Sequence, residues 1–439
     1  MGSRLSTPGP QEKRFAAYTE GLALAAGHED RHGPLKDYCK GLLLSGERKS
    51  IEPMAARLDP HHVQAMRQSL HHVVAKAPWK DEVLLGQVRE QVLPAMEQNG
   101  SVVAWIVDDT GFPKKGKHSV GVTRQYCGQV GKQENCRVAV SLSLATWSSS
   151  LPIAYRLYLP KEWAEDAKRR KKAEVPKVIE FQTKPEIALD QIRAAVDAKV
   201  TRGIVLADAA YGINTDFRDG LTDLELPYVV GVQSSLTVWE PGKQPLPAKP
   251  RGKMGRPPRL LQRATHHQPV SVKQLAMSLP STAFREITWR EGAERKLRSR
   301  FAAVRVRPAH RDYWQAEPRA EEWLLIEWPR GEAEPNKYWV STLPVTTKLQ
   351  ALVKMAKHRW IVERDYEELK QELGLGHFEG RNWRGFHHHA TLCIAAYGFL
   401  VAERNRFSPS ARAGHLGFVA PKPAPDFRPR GSPRTPRAA

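Results

Sequence analysis

The stretch Ser-Val-Val-Ala-Trp-Ile-Val-Asp-Asp-Thr, residues 101–110, decides how the rest of this sequence is interpreted. An uninterrupted apolar run that ends in two aspartates is typical of a strand buried on both faces, with acids at its carboxyl end. Residues 203–208, Gly-Ile-Val-Leu-Ala-Asp, repeat the pattern with one aspartate. The sequence therefore predicts two buried strands with Asp108, Asp109 and Asp208 at their ends.

The segments around these two strands predict a mixed α/β core. A short extended piece at 124–128 leads into a second, alternating strand at 136–146, a third strand follows at 151–159, and a helix begins at Lys184-Pro185. Another helix and a further strand follow Asp208. The resulting order, β-β-β-α-β-α-β, matches a ribonuclease-H-like core, in which the two acid-bearing strands are adjacent and parallel.

The predicted organisation has five parts. A helical N-terminal region (1–98) precedes the first part of the core (99–232), and a mostly β insertion (233–343) contains four expected strands at 285–290, 300–305, 323–328 and 338–341. The second part of the core (344–405) contains a long helix from Thr346 or Thr347 to about Leu373 and a shorter one over 389–405. A tail rich in proline and arginine (406–439) is expected to be disordered.

The charge balance favours a polyanionic partner. The chain has 68 Lys plus Arg against 47 Asp plus Glu, a formal net charge of +21, which favours nucleic acid over an anionic membrane. The alternative explanation of the positive charge is that the protein comes from an arginine-rich proteome. The sequence has no apolar run of about 18 residues and no secretory signal, which predicts no membrane association. Four cysteines without a Cys-x-x-Cys pair favour a reducing cytoplasm.

A third acid is expected on the long helix. Arg359, Glu363, Tyr366 and Lys370 are spaced four, three and four residues apart, which puts them on one helix face. A solvated row of ion pairs would give the same spacing. The apolar residues that alternate with them favour a partly buried helix, in which the two cations contact phosphate groups beside the glutamate.

Carboxylates brought together in this way predict a metal site. Clustered carboxylates repel one another unless a cation lies between them, and hard oxygen ligands suit Mg²⁺ or Mn²⁺. Two such ions about 3.5–4 Å apart can hold the attacking and leaving oxygens of a phosphoryl displacement. Strand-end aspartates are also common in other α/β enzymes, so the pair of aspartates alone does not decide the function.

Several longer motifs carry a resemblance to a known family. Residues 359–370, Arg-Trp-Ile-Val-Glu-Arg-Asp-Tyr-Glu-Glu-Leu-Lys, resemble the R-x3-E-x6-K signature of DDE transposases of bacterial insertion sequences, although Ala356 stands where that signature has a tyrosine. Residues 108–126, which begin Asp-Asp-Thr-Gly-Phe-Pro-Lys-Lys-Gly-Lys, resemble the first-aspartate block of the insertion-sequence-701 family. Residues 206–212, 367–374 and 48–55 resemble its other blocks.

The resemblance implies a transposase that binds the ends of its element, cleaves them and joins the freed 3′-OH ends to target DNA. It implies Asp109, Asp208 and Glu363 as catalytic ligands of two Mg²⁺ or Mn²⁺ ions, with Asp109 chosen because it precedes Thr110 and Asp108 as the alternative. Arg359 and Lys370 would contact phosphates. It also implies binding of the element ends, a DNA complex of at least two protomers, and a cytoplasmic, nucleoid-associated location. The helical N-terminal region is the candidate for end binding, but without a helix-turn-helix signature it could equally be a packing domain.

Other residues are candidates for DNA contacts. A loop after the first aspartates contains Lys114, Lys115 and Lys117, which would hold backbone phosphate unless the loop is simply solvated. Residues 251–259 resemble an AT-hook-like peptide that would place arginines in a minor groove; a flexible basic linker is the alternative. Its cations are Arg251, Lys253, Arg256 and Arg259.

The insertion contains three tryptophans, and the C-terminal part of the core contains a run of three histidines. Trp323, Trp328 and Trp339 in the insertion are expected to pack in the core rather than to stack on a base. The run His387-His388-His389 is expected to lie on the surface or to face DNA, because adjacent helix residues point in different directions.

Two other functions remain open from the sequence. A transposase-derived DNA-binding protein without catalysis is one, and the presence of all three acids argues against it. A metal-dependent nuclease without strand transfer is the other, and only the capture of a joined product would separate it from a transposase.

Overall fold

The computed structural model of the chain describes residues 9–249, 259–291 and 296–407. Five helices come first: α1 (Pro10–Ala25), α2 (His32–Leu43), α3 (Ile51–Leu58), α4 (Val63–Ala75) and α5 (Asp81–Glu97). Aspartate followed by proline, as at Asp59-Pro60, is typical of a helix start, but α4 begins three residues after Pro60. The Asp59 carboxylate accepts the backbone N–H groups of His61 and His62, at 3.2 and 3.1 Å, and so stabilises a turn ahead of the helix.

The central sheet contains the predicted strands in the predicted order, with one addition, because the short extended piece after the first strand forms a strand of its own. Its elements are β1 (Ala104–Pro113), β2 (Thr123–Cys127), β3 (Lys132–Ala145), β4 (Ser150–Leu157), α6 (Lys161–Ala164), α7 (Ala167–Lys172), α8 (Lys184–Asp197), β5 (Ile204–Ala207), α9 (Ala209–Gly212), α10 (Thr215–Asp223) and β6 (Tyr228–Val232). Strand β3 lies antiparallel to β1 and β4, whereas β5 pairs parallel with β1 and β6 parallel with β5. The spatial order is therefore β4-β3-β1-β5-β6, with β2 beside β3.

The following segment extends the same sheet. Its elements are β7 (Thr237–Trp239), β8 (Val270–Ser271), α11 (Val272–Ser278), β9 (Arg285–Glu291), β10 (Lys296–Pro308), β11 (Glu322–Glu327) and β12 (Lys337–Ser341). All four strands expected here are present. The last of them, β12, pairs antiparallel with β6, so the inserted strands continue the sheet as β6-β12-β11-β10.

The chain ends, within the described residues, in three helices: α12 (Leu349–His358), α13 (Ile361–Gln371) and α14 (Trp383–Arg406). The prediction of one long helix from Thr346 or Thr347 is wrong, because α12 begins after Lys348 and the helix is interrupted at Arg359 and Trp360. Backbone hydrogen bonds there span three residues instead of four, as from the N–H of Glu363 to the Trp360 carbonyl at 3.1 Å. A tighter turn therefore separates α12 from α13.

Helix α14 lies inside the protein and begins six residues earlier than expected. It packs against α5, α2 and α4 as well as β4, and one hydrophobic cluster includes residues of the N-terminal helices, the sheet and the C-terminal helices. The three adjacent histidines were expected at the surface, and this prediction is wrong. Each is at most 5% exposed, because α14 has neighbours on all sides.

Backbone groups satisfy the buried histidine rings. His387 accepts the Leu157 N–H at 3.1 Å through Nε2 and lies 2.9 Å from the Trp383 carbonyl through Nδ1. His389 contacts the Gly374 carbonyl and the Tyr38 hydroxyl. Burial lowers the pKa of each of the three histidines to about 4, so they are neutral at pH 7.

Two further expectations can be compared with the described residues. All four cysteines are buried free thiols, as the absence of a disulfide framework predicted. Within the ranges that the structure covers, none of the helices combines the length and the apolar character needed to cross a bilayer.

Candidate active site

The two aspartates at the end of β1 have different partners, because successive side chains of a strand point to opposite faces. Asp108 is on the side of α13, where Arg359 Nη1 donates to its Oδ2 at 2.9 Å. Asp109 is on the side of α8, where Lys184 Nζ donates to its Oδ2 at 2.5 Å. The Tyr211 hydroxyl lies 3.4 Å from the same oxygen.

Asp208 directly follows β5, the parallel neighbour of β1, and caps the short helix α9 by accepting the Ala210 N–H at 2.9 Å. Helix α9 lies very close to β6. A Cβ atom on Gly231 would lie 2.9 Å from the Ala209 nitrogen, and one on Gly212 would lie 2.0 Å from the Gly231 carbonyl oxygen. The two glycines thus permit the close packing that fixes Asp208 beside the end of β1.

Glu363 projects from the first turn of α13. Arg359 Nη2 donates to its Oε1 at 3.3 Å, so a single guanidinium bridges Glu363 and Asp108. Burial opposes the charged form of this guanidinium, but Asp108, Asp208 and Glu363 together raise its pKa above the ordinary value. All three carboxylates therefore lie within electrostatic reach of Arg359.

The acids at this end of the sheet outnumber the cations that neutralise them. Burial raises the pKa of Asp108 to about 7, since the nearby charge of Arg359 lowers it less than burial and the neighbouring Asp109 and Asp208 raise it. Carboxyl groups that raise one another's pKa in this way gain from additional positive charge. The site is therefore suited to cations.

Helix α13 is fixed to the sheet by contacts on the same face. The Tyr366 hydroxyl is hydrogen-bonded to Ser141 on β3, and Lys370 Nζ donates to the Gly111 carbonyl at 3.0 Å. Buried Asp365 accepts from the Ser150 hydroxyl at 2.5 Å and from Tyr397 at 2.7 Å. Of the expected common face, Arg359, Tyr366 and Lys370 therefore contact β1 and β3, whereas Glu363 is mostly exposed and pairs with Arg359.

Lys184, Tyr211 and Asp365 were not singled out from the sequence. Lys184 is the first residue of α8, and the surrounding Thr183 and Glu186 form a capping box that by itself indicates only a helix start. Tyr211 and Asp365 lie within the motif blocks but carry no spacing signal. Only the tertiary contacts show that they belong to the acid cluster or its support.

The remaining predicted DNA contacts differ in their accessibility. Lys114 folds back and donates to the Phe378 carbonyl at 3.1 Å, and burial together with nearby Arg137 lowers its pKa to about 8. Lys115 and Lys117 are exposed. Arg251, Lys253 and Arg256 lie outside the described residues, and Arg259 is exposed.

The tryptophans of the inserted strands are mostly packed, as expected. Trp339 is buried. Trp323 and Trp328 are half-buried, and their indole N–H groups donate to the Pro344 and Glu332 carbonyls.

The residues at the end of the sheet fit divalent cations by their chemistry. Carboxylate oxygens are the ligands that Mg²⁺ and Mn²⁺ prefer. Among residues 9–249, 259–291 and 296–407, no three acidic, histidine or cysteine side chains are already gathered around one common point. Arg359 and Lys184 are the positive charges that contact these carboxylates in the structure.

This mixed α/β fold and its cluster of acids correspond to a known class. The family model described as "DDE superfamily endonuclease" matches residues 21–296, which is more than half of the chain, and the chain belongs to this family. The matched range includes the aspartates that follow β1 and β5 and ends before Glu363.

A particular relative narrows the comparison. The protein described as "Probable transposase for insertion sequence element IS701", from Microchaete diplosiphon, is 31% identical over 170 residues. The match covers 38% of this chain and 41% of that relative, so it spans less than half of the relative's length. The resemblance inferred from the motifs is thereby confirmed at the level of the family.

Proposed function

We propose that this protein is the transposase of an insertion sequence, which cleaves the ends of its element and joins them to target DNA. The observation that supports this proposal most strongly is that Arg359 binds both Asp108 and Glu363. Asp208 lies beside them, at the end of the neighbouring parallel strand. The strand order β4-β3-β1-β5-β6 supports a ribonuclease-H-like core for this chemistry.

In this proposal Asp108, Asp208 and Glu363 are the carboxylates that hold two Mg²⁺ or Mn²⁺ ions. The motif pattern favoured Asp109, but Asp108 is the aspartate of β1 that shares a cation with Glu363. When bound, the ions would activate water and stabilise the charge that develops on the phosphodiester. Asp109 would orient Lys184, and Arg359 and Lys370 would contact phosphate oxygens.

The substrate and the assembly follow from this chemistry. DNA is the expected partner, and the net charge of +21 supports its capture from solution. A reaction that joins two element ends needs at least two active sites, so we propose a dimer or larger assembly on DNA. The proposed place of action is the bacterial cytoplasm, at the nucleoid.

Nicking tests the proposal. DNA that contains the chromosomal flanks of this gene should be nicked by the purified protein with Mn²⁺, and Asp208→Asn should lower the rate at least about 10²-fold. Asp197→Asn, an exposed change on α8, is the matched control and should leave the rate unchanged. Wild-type rates in Asp208→Asn would overturn the assignment of the site.

The two aspartates of β1 and the strand-transfer step need separate measurements. Asp108→Asn should abolish nicking and Asp109→Asn should reduce it less; the reverse order would restore Asp109 as the ligand. Recovery of a covalently joined end–target product identifies a transposase. Nicking without that product identifies a nuclease, and DNA binding without nicking identifies a catalytically silent derivative.

A further inference from the structure

A cleft of about 680 Å³ lies between the N-terminal helices and the segment that leads into α14. It is lined from α3, α4, the end of α7 and residues 377–382. Six cationic side chains and two carboxylates are among the lining residues: Arg48, Lys49, Arg67, Lys76, Lys172, Arg381, Glu52 and Glu379. The charged side chains of the cleft are therefore strongly biased toward positive charge.

Several of these cations are available to a ligand. Within the described part of the chain, the side chains of Lys172 and Arg381 are exposed and have no hydrogen-bond or ion-pair partner. Arg67 donates only to the neutral amide of Gln64, at 3.2 Å. Arg48 pairs with Glu379, and both side chains are more than 60% exposed, so this pair is weak and exchangeable.

The helices add to the preference for an anion. Ser50, Ile51 and Glu52, at the amino end of α3, line the cleft, and the positive end of a helix dipole favours a phosphate. Arg67 and His71 are four residues apart on α4, so they lie on the same helix face. The cations thus come from separate elements that surround one groove.

The cleft is joined to the acid cluster by direct contacts. Strand β1 continues from Asp109 to Pro113, and the next residue, Lys114, donates to the carbonyl of Phe378, which lines the cleft. The Val120 N–H donates to the Arg381 carbonyl at 3.0 Å, so the loop that contains Lys115 and Lys117 runs beside the cleft. The part of β1 between Asp109 and Pro113 is about 13 Å long, so the cleft begins about 13 Å from the acid cluster. This distance corresponds to roughly four nucleotides of duplex DNA.

We propose that this cleft binds the sugar-phosphate backbone of the DNA whose scissile bond lies at the acid cluster, starting about four nucleotides from that bond. The inference rests on the proposed function, because the acids define where the DNA strand is cut. It adds a second contact region, in which Lys172, Arg381 and Arg67 hold phosphates independently of the DNA sequence.

Binding measurements with the full-length chain test this proposal separately from catalysis. Fluorescence anisotropy with labelled flank DNA in Ca²⁺ buffer should show a K172Q/R381Q variant binding at least about tenfold more weakly at 0.15 M salt. The slope of log K against log salt should fall by about 1.8, or roughly 0.9 for each lost phosphate contact. A K199Q/R202Q variant is the control, since these exposed residues lie at the opposite end of β5 from Asp208.

Two further results locate the contact and verify the fold. Methylphosphonates placed four to eight nucleotides from the nick should weaken binding by the wild type but not by K172Q/R381Q. K172R/R381K should restore most of the affinity, which a misfolded variant could not do. Unchanged affinity and salt slope in K172Q/R381Q would overturn the cleft assignment, as would binding of an acidic polypeptide with equal affinity.

The outcome for the cleft is distinguishable from the outcome for the catalytic site. Nicking is compared between the wild type and Asp208→Asn, whereas binding is compared between the wild type and K172Q/R381Q. If K172Q/R381Q loses affinity while the wild type never nicks DNA, the cleft stands and the catalytic proposal fails. If the wild type nicks DNA and K172Q/R381Q binds normally, the catalytic proposal stands and the cleft fails.

Discussion

Arg359 shows at the scale of one residue how one cation joins carboxylates from two elements. Its guanidinium donates to Asp108 and Glu363, while Lys184 holds Asp109 from the other side of the strand. A phosphate or a metal ion that enters the site must compete with these contacts. The two cations are therefore expected to influence how tightly the site binds its ligands.

Removal of Lys184 tests this competition. Lys184→Gln should bind Mn²⁺ about two- to fivefold more tightly, because a positive charge beside the acid cluster is removed and Asp109 keeps its negative charge unpaired. The effect is small because the pair is partly exposed, with side-chain exposures of 30% and 23%. Isothermal titration calorimetry measures it, with Lys13→Gln on α1 as an exposed control. Weaker Mn²⁺ binding in Lys184→Gln would contradict the expectation.

The sequence predicted the acids better than their partners. Asp108, Asp109 and Asp208 could be placed because an apolar run followed by an acid indicates a strand end. The contact between Lys184 and Asp109 could not be predicted, since the direction of one lysine at a helix start depends on tertiary packing. Which aspartate of β1 shares a cation with Glu363 was open for the same reason.

At the scale of elements, the close packing of α9 on β6 determines where Asp208 lies. Gly231→Ala would put a methyl group against the α9 backbone, which should cost about 1–3 kcal/mol of stability and weaken Mn²⁺ binding. Thermal unfolding and calorimetry measure the two effects. Gly86→Ala on α5 meets no atom within 4 Å and should stabilise the helix by up to about 1 kcal/mol. Wild-type stability and Mn²⁺ affinity in Gly231→Ala would show that α9 can move away from β6 at no cost.

The break between α12 and α13 was not predictable from composition. Neither glycine nor proline occurs between Leu349 and Gln371, so apolar periodicity indicated one continuous helix. Hydrogen bonds that span three residues replace the regular pattern at Trp360 and Glu363. The predicted strands, by contrast, lie within a few residues of their observed bounds, because alternation and apolar runs are local signals. The short strands β7 and β8 were not predicted.

Helix α14 illustrates why polar residues can be misplaced by a sequence argument. Three consecutive histidines suggested a surface, yet backbone groups from neighbouring elements satisfy their rings. Long-range backbone partners leave no local sequence signal. The burial of these residues therefore became visible only in the folded chain.

His387 should make the stability depend on pH. Its pKa is about 4 in the folded chain against an ordinary value near 6.5, so the unfolded chain binds more protons between these values. The contribution of His387 to the free energy of unfolding is fully present above pH 6.5. It falls on acidification by up to about 1.4 kcal/mol per pH unit. His387→Gln should be less stable at pH 7 and should lose less on acidification.

Urea unfolding at pH 7, 6 and 5 measures this effect as the difference between the wild type and His387→Gln. The free energy of unfolding of His387→Gln is subtracted from that of the wild type, because other groups also titrate between pH 5 and 7. Asp108 and Asp365, with pKa values raised to about 7, stabilise the fold on acidification, whereas the histidines destabilise it. A difference that does not change with pH would show that His387 is not buried as a neutral ring.

At the scale of the whole molecule, the N-terminal helices and the catalytic sheet share one hydrophobic cluster through α14. The sequence-based boundary at residue 98 therefore need not mark an independently folding unit. A chain that begins at residue 99 should fail to fold, since it would expose buried side chains of α14 at about 1.5–3 kcal/mol each. Circular dichroism and urea unfolding check this, and cooperative unfolding of the truncated chain would contradict it.

The cation bridges at the end of the sheet also separate folding from activation. Because Arg359 and Lys184 contact carboxylates of the cluster, the chain should remain folded after dialysis against EDTA, unlike a domain held together by structural zinc. A protein that stays folded without its ions can be loaded onto DNA while idle. Rapid mixing with Mn²⁺ would then start every molecule at the same instant, so the order of the proposed nicking and joining steps could be followed in time.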